Sequence, residues 1–175
     1  MSTAARIDRV QPGPARPRAS LAPPWLRWTT LALSLGGLGV SLYLTITHYT
    51  TSVTLTCPAT GIINCAKVTT SPQSVLFGVP VAVIGLAYYA GLVALTTPVA
   101  WRSASLRWVR AGALAAGIAF VLYLVYTELF TLDAICLWCT SVHVITVVLF
   151  VLVAPTVARP PGAQSAAPEP EPAAR

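Results

Sequence analysis

The chain has 175 residues, of which 55% are hydrophobic and only 9% are charged, and its mean hydropathy is +0.72. Soluble domains carry about 25% charged residues, so the composition excludes an ordinary soluble protein and predicts an integral membrane protein. The formal net charge is +6, but the arginines lie in short segments between apolar runs. This distribution argues against nucleic-acid binding, which needs cations gathered on one face or groove.

Four apolar runs approach or exceed the 20 or so helical residues that cross the hydrocarbon of a bilayer. The predicted helices cover residues 25–47, 75–97, 111–130 and 134–157. The first run is too long for the core of a secretory signal peptide, and no small-x-small cleavage site follows it, so we interpret it as a transmembrane helix. The predicted fold class is an all-α membrane protein, a four-transmembrane-helix bundle in one domain over residues 25–157.

The two ends of the chain differ in composition from the apolar runs. Residues 1–24 are rich in Ala, Pro and Arg, and residues 158–175 are rich in Pro, Ala and Glu. Neither segment has apolar periodicity, so both are predicted to be disordered tails.

Positive charge divides very unevenly between the two sides of the predicted bundle. All ten arginines fall on the side of the termini, and Lys67 falls on the other side. The positive-inside rule therefore places both termini in the cytoplasm. The five tryptophans fall near predicted helix ends, as an interfacial aromatic belt requires.

The four cysteines form two pairs on the extracytoplasmic side. Cys57 and Cys65 lie in a polar, water-facing loop after the first helix, and Cys136 and Cys139 form a Cys-Leu-Trp-Cys motif opening the fourth. Four cysteines allow three connectivities, which the sequence leaves open. Cβ atoms at i and i+3 of a helix are about 5–6 Å apart, against about 3.5–4.5 Å in a relaxed disulfide. A Cys136–Cys139 bridge would be strained, and strained bridges are readily reduced.

The position of the Cys-x-x-Cys motif at a helix start suits redox chemistry. Thiol–disulfide exchange needs a thiolate, which is heavily penalised inside hydrocarbon. At the interface and at a helix N-terminus, where the dipole contributes about 0.3–1 kcal/mol, a thiolate at Cys136 is favoured. Cys139 lies one turn deeper, in more apolar surroundings. The motif therefore predicts electron transfer from a water-side thiol to a lipid-soluble acceptor.

Other interpretations of these residues remain as alternatives. Cys57 and Cys65 suit a structural loop disulfide, and Cys136 and Cys139 could be ordinary buried cysteines. Two metal-centre interpretations fail on spacing. Zinc knuckles prefer two close-spaced pairs, and Cys57 and Cys65 are too widely spaced; a c-type haem needs a histidine where Thr140 stands. His48 and His143 are both expected near the extracytoplasmic side, which leaves a bis-His b-type haem as a further alternative.

Taken in order, these motifs resemble the vitamin K epoxide reductase family in its short bacterial form, over about residues 26–152. The resemblance rests on Cys57 and Cys65 with seven residues between them, Ser71, the Phe-Gly-Val-Pro stretch at 77–80, and the Cys-x-x-Cys motif of the fourth helix. The DsbB-type quinone reductases also have four helices and two cysteine pairs. They place the close-spaced pair in the first loop and need a long second loop, so that family fits less well.

The resemblance implies a bundle that holds a quinone, of the menaquinone or ubiquinone type, near the extracytoplasmic surface and that needs no metal. Cys139 would react with the quinone, Cys136 would exchange with Cys65, and Cys57 would meet the protein substrate. Ser71 would lie near the site. His143 lies one turn after Cys139 on the same helix face, so it is a candidate to stabilise or protonate the quinone.

The implied function is a quinone-dependent thiol–disulfide oxidoreductase of the bacterial cell membrane. It would re-oxidise a soluble extracytoplasmic thioredoxin-fold (DsbA-like) protein and so support disulfide formation. Vertebrate members have Tyr and Asn where this chain has His143 and Val81, which favours quinone reduction over epoxide reduction. Many bacterial relatives carry a fused thioredoxin-like domain that this sequence lacks, so the partner is expected to be a separate protein. The alternative is a non-enzymatic, claudin-like four-helix scaffold with a structural loop disulfide.

Overall fold

The computed structural model describes residues 22–50, 55–57 and 60–158, and within these ranges the chain is mainly helical. The predicted tails therefore lie almost entirely outside the described residues. The five helices are α1 Pro24–Tyr49, α2 Cys65–Thr69, α3 Val81–Thr96, α4 Ala104–Tyr126 and α5 Leu137–Ala158. Short 3-10 turns cover Pro72–Ser74 and Ala100–Arg102, a π-helical turn covers Thr127–Thr131, and strands β1 Val75–Leu76 and β2 Val79–Pro80 pair antiparallel.

The three longest helical segments form the body of the fold. Pro24–Tyr49, Ala104–Thr131 and Leu137–Ala158 are each long and apolar enough to cross a membrane, whereas α3 is apolar but has only 16 residues. Helix α1 packs against α3 and α5, and α5 also packs against α4. The mainly helical fold is thus confirmed, with three helices able to span a membrane and a fourth that is shorter than the sequence predicted.

The second helix begins later than predicted. Its expected first residues, 75–80, instead form the hairpin of β1 and β2, with Val75 opposite Pro80 and Leu76 opposite Val79. The turn needs positive φ at Phe77 (52°) and Gly78 (80°), and such angles do not occur in a right-handed helix. Pro80, which has no N–H to donate to a preceding turn, directly precedes the first residue of α3.

The third helix begins earlier than predicted, at Ala104 instead of residue 111. Arg107 and Arg110 therefore lie on the helix and not in a loop. The guanidinium of Arg110 lies over the ring of Trp101, 3.5 Å from its centre, and donates to the carbonyl of Leu95 at 2.9 Å. This cation–π contact and hydrogen bond let a buried arginine sit in the first turns of an otherwise apolar helix.

The packing places the cysteines and the arginines at opposite ends of the described bundle. Leu26 at the start of α1 packs in one buried cluster with Trp101 and with Val153 near the end of α5. At the other end, the Tyr43 ring contacts the Trp138 ring, with centres 4.9 Å apart. The end with Trp138 carries the cysteines, and the end with Trp101 carries the described arginines.

Small residues let α1 and α3 approach closely in the middle of the bundle. The Tyr89 side chain occupies the space that a Cβ at Gly37 would need, so any larger residue there would collide with the ring. The Tyr89 hydroxyl donates to the carbonyl of Val142 on α5 at 2.9 Å. This tyrosine therefore links three helices below the cysteine end.

Candidate redox site

Cys57 and Cys65 form a disulfide, one of the three connectivities that the sequence allowed. Cys65 is the first residue of α2, whose N-cap Asn64 accepts a hydrogen bond from the N–H of Lys67 at 2.9 Å. Cys57 is half-buried, but Cys65 is only 1% exposed. The prediction that both cysteines lie in a water-facing loop is therefore wrong for Cys65, because α2 turns its side chain into a buried cluster.

A short backbone bridge joins the segment of Cys65 to the segment of Cys136. The N–H of Asn64 donates to the carbonyl of Ile135 at 3.1 Å, and the N–H of Ile135 donates to the carbonyl of Ile62 at 2.8 Å. Each cysteine directly follows one of the bridged residues. The bridge therefore fixes Cys65 and Cys136 in register, independently of any contact between their side chains.

A second link joins the redox motif to the segment of Cys57. The indole N–H of Trp138 donates to the carbonyl of Thr56 at 3.0 Å, and the N–H of Thr56 donates to the hydroxyl of Tyr43 at 3.3 Å. Thr56 directly precedes Cys57. Both loop cysteines are thus attached through their neighbours to the Cys-x-x-Cys segment.

Cys136 and Cys139 are free thiols at the start of α5. Cys136 is 0% exposed and precedes the helix, whereas Cys139 lies on its first turn. The Cys136 sulfur accepts from the Cys139 thiol at 2.7 Å and from the Cys139 N–H at 3.2 Å. The thiol hydrogen bond is the main cause that lowers the pKa of Cys136 below its ordinary value. Cys136 is therefore the better nucleophile of the pair.

A cavity of about 260 Å³ opens among α1, α3, α4 and α5 beside the motif. Its walls are mainly apolar, with Leu44, Ile84 and Phe120 among the lining residues. Cys139 lines this cavity, whereas Cys136 belongs to a buried cluster with Cys65 against which Cys139 also packs. The two thiols of one motif therefore lie between the loop disulfide and the cavity.

The two remaining candidate residues also line the cavity. Ser71 is buried, and its hydroxyl donates to the carbonyl of Val68 at 2.8 Å, so its hydrogen is already used within the loop. His143 is buried on α5, one turn after Cys139. His48, at the end of α1, lines the same cavity. The structure thus brings Ser71, Cys139 and His143 to one cavity.

Sequence reasoning missed Glu128. This residue lies on the π-helical turn, is 6% exposed and lines the cavity. Its carboxylate accepts from the N–H of Cys136 at 3.4 Å. A sequence signal for it did exist, because Glu128 is the lone acidic residue in the third apolar run. Ionisable residues inside membrane helices are costly and usually functional.

The part of the chain that the structure describes contains no group of three or more His, Cys, Asp or Glu residues able to hold a metal ion. No curated protein matches the chain at a significant level. A family model, however, matches residues 28–154, which is most of the chain and includes both cysteine pairs and the cavity. With two linked cysteine pairs and a match of this extent, the chain belongs to the vitamin K epoxide reductase family, whose members are membrane thiol–disulfide oxidoreductases.

Proposed function

We propose that this protein is a quinone-dependent thiol oxidase of the bacterial cell membrane that re-oxidises a secreted thioredoxin-fold protein. The observation that carries the proposal is the position of the Cys136–Cys139 pair. Cys136 is buried in the cluster that contains Cys65, and Cys139 lines the apolar cavity. The Cys136–Cys139 pair therefore lies between the loop disulfide, which would supply electrons, and the cavity, which would hold the electron acceptor.

On the donor side, the proposed path begins at Cys57, which is more exposed than Cys65. A dithiol of the partner protein reduces the Cys57–Cys65 disulfide and leaves with a disulfide of its own. The Cys65 thiolate then attacks the oxidised Cys136–Cys139 bridge at Cys136, which forms a Cys65–Cys136 disulfide and releases Cys139. Cys57 resolves this intermediate, so the loop disulfide is restored and the Cys-x-x-Cys motif holds two thiols.

On the acceptor side, the substrate is a quinone of the menaquinone or ubiquinone type. Mainly apolar walls suit a lipid-soluble ring, and polar groups at Cys139 and His143 would orient its oxygens. Ser71 would join them once its hydroxyl turns away from the carbonyl of Val68. The dithiol loses two electrons and two protons, and the quinone gains the same number to become a hydroquinone. Because Cys139 lines the cavity, a quinone bound there could reach its sulfur directly, which favours a quinone over a haem held by His48 and His143.

The proposed topology has four spans, with the cysteine end outside and both termini in the cytoplasm. The described arginines support it, because Arg27, Arg102 and Arg110 lie at the end opposite to the cysteines, where the positive-inside rule expects them. Helix α3 is short for a span, with 16 residues. In this topology the β1–β2 hairpin spans the remaining distance between the start of α3 and the outer surface of the membrane.

The deciding experiment measures quinone reduction by the purified full-length protein. A reduced thioredoxin-fold donor and a short-chain ubiquinone or menaquinone analogue are supplied without oxygen, and the absorbance of the quinone is followed. We expect turnover with the wild type and none with Cys136→Ala. Cys57→Ala should lose turnover with the protein donor but retain much of it with dithiothreitol. Absence of quinone reduction with either donor would favour the claudin-like scaffold instead.

A further inference from the structure

Glu128 occupies a position that no other described residue shares. Its carboxylate accepts a hydrogen bond from the backbone of Cys136, and the same side chain lines the cavity that Cys139 lines. It lies on a π-helical turn between α4 and the redox motif. Such turns widen a helix locally and are frequent at functional sites. Glu128 therefore lies beside Cys136, in contact with its backbone, and also faces the space proposed for the quinone.

The Glu128 carboxylate is buried without a neighbouring cation in the described part of the chain, and a carboxylate in such surroundings takes up a proton readily. Among the described residues, no Lys, Arg or His lies within ion-pairing distance of its carboxylate, and the one described polar contact of that carboxylate is the N–H of Cys136. A buried carboxylate without a cation is costly in its charged form. The other titratable groups that line the cavity are His48, Tyr88, Tyr89, Cys139 and His143.

The proton balance of the proposed reaction requires a path from Cys136. Both thiols lose a proton when the Cys136–Cys139 bridge forms, and both protons end on the quinone oxygens. Cys139 lines the cavity and has His143 one turn away. Cys136 is 0% exposed and lies in the same buried cluster as Cys65. Its proton therefore needs a carrier that contacts Cys136 and also faces the cavity.

We propose that Glu128 is this carrier, an inference that rests on the proposed function. The S–H bond of Cys136 breaks and an O–H bond forms on the carboxylate of Glu128. The Cys136 sulfur then bonds to the Cys139 sulfur as the S–H bond of Cys139 breaks, and two electrons and the Cys139 proton pass to the quinone. Glu128 gives its proton to a quinone oxygen and returns to a carboxylate, so that dithiol and quinone become disulfide and hydroquinone with no net change in Glu128.

The test compares Glu128→Gln with Glu128→Asp in a single turnover. Gln keeps the volume and the acceptor for the Cys136 N–H but cannot carry a proton, whereas Asp can. Purified full-length protein is reduced with dithiothreitol, freed of it without oxygen, and mixed with a short-chain ubiquinone. At saturating quinone we expect Glu128→Gln to be slower by about 100-fold, within the range of general acid–base groups. The quinone concentration that gives half the maximal single-turnover rate should change little. Glu128→Asp should retain more activity than Glu128→Gln.

Asp133→Asn is the matched control, because it removes an equal charge from an exposed residue five positions away. It should react at the wild-type rate. A second measurement needs no quinone, namely the infrared difference spectrum between the oxidised and dithiothreitol-reduced protein. We expect a carboxyl band in the wild-type spectrum that Glu128→Gln removes and Asp133→Asn retains.

The outcomes separate this proposal from the proposed function. A wild type that does not reduce quinone overturns the proposed function, and the infrared band then decides alone whether Glu128 responds to the dithiol. A wild type that reduces quinone while Glu128→Gln does so at the same rate overturns the proton-carrier role. Equal losses in Glu128→Gln and Asp133→Asn would overturn it as well, since they would reflect a general effect of charge.

Discussion

The indole N–H of Trp138 donates to the carbonyl of Thr56 at 3.0 Å, which joins the middle of the Cys-x-x-Cys motif to the residue before Cys57. The two residues are 82 positions apart in the sequence, so the pairing is a property of the fold and not of local structure. Together with the bridge between Asn64 and Ile135, it attaches both loop cysteines to the motif with which they are proposed to exchange.

Trp138→Phe should remove the hydrogen bond to Thr56 while keeping an aromatic ring beside Tyr43. The ring contact persists, but the donor to Thr56 is lost, and one such hydrogen bond contributes about 0.5–1.5 kcal/mol. We expect a small fall in the thermal unfolding temperature and faster reduction of the Cys57–Cys65 disulfide by dithiothreitol. The control is Trp108→Phe, because Trp108 lies near the other end of the bundle and is 59% exposed. Equal reduction rates in the two variants would contradict a role for the hydrogen bond.

Cys139→Ala should accumulate a disulfide between Cys65 and Cys136. Without Cys139, the thiolate of Cys136 attacks the loop disulfide at Cys65 and releases the Cys57 thiol. Cys139 can no longer displace Cys65 from Cys136, so only Cys57 can reopen the new bridge, and rapid alkylation of Cys57 traps it. The shared buried cluster of the two cysteines and the backbone bridge beside them favour this exchange. Mass spectrometry of alkylated, digested protein should detect the Cys65–Cys136 peptide pair. Cys136→Ala is the control and should retain the Cys57–Cys65 pair, and finding that same pair alone in Cys139→Ala would count against the relay.

The first and the last long helices were well predicted from the sequence because their hydropathy is uninterrupted. Residues 25–47 and 134–157 were expected, and α1 and α5 cover Pro24–Tyr49 and Leu137–Ala158. The middle helices were displaced for local reasons. Residues 75–80 are apolar but carry a turn with positive φ, and the arginines before residue 111 were interpreted as a loop although Trp101 lets one of them pack.

The arrangement of the candidate site was harder to predict from the sequence than the helices, because it depends on tertiary contacts. Charge asymmetry and helix order predicted that the cysteines, Ser71 and His143 lie on one side of the membrane, and in the structure they lie at one end of the bundle. It did not place Glu128 at Cys136, since the contact passes through a π-helical turn and the reversal that follows it. Nor did it indicate that Cys65 is buried, because the polar residues around it predict a loop while α2 and the backbone bridge form only in the folded chain.

Orientation can be tested by labelling in intact cells whose outer envelope has been removed. After mild reduction, a membrane-impermeant maleimide should label Cys57 ahead of Cys65, because Cys65 is 1% exposed while Cys57 is half-buried. A cysteine introduced at Val99, which is 72% exposed at the opposite end, should be labelled only after the membrane is broken. The reverse pattern would refute the proposed orientation.

The ionisation of Cys136 should depend on the hydrogen-bond donor at position 139. The Cys139 thiol lowers the pKa of Cys136 because a donor stabilises the thiolate. Removing that donor should raise the pKa, so that the thiolate forms at higher pH. In protein lacking the loop cysteines, the ultraviolet absorbance of the thiolate should titrate at higher pH in Cys139→Ala than in Cys139→Ser, which keeps a hydroxyl donor. Identical midpoints would show that the donor is unimportant.

His143 is the remaining candidate for the chemistry in the cavity. It is buried, lines the cavity with Cys139 and follows it by one helical turn. As Cys139 gives up electrons, negative charge develops on the quinone oxygens, and an imidazole at this distance can stabilise that charge or supply a proton. A polar group at this depth in a membrane helix is costly, which argues for a function beyond packing.

We expect His143→Phe to lower the rate of quinone reduction about tenfold or more. General acid–base groups typically accelerate a reaction by ~10²–10⁴-fold. The Cys136–Cys139 bridge should still form, which alkylation and mass spectrometry can verify. His143→Tyr should retain more activity than His143→Phe, because a phenol can also donate to the quinone. Val144→Phe is the control for added bulk, since Val144 is 55% exposed on the outward side of α5. If His143→Phe matches the wild type at saturating and at limiting quinone, His143 contributes only to packing.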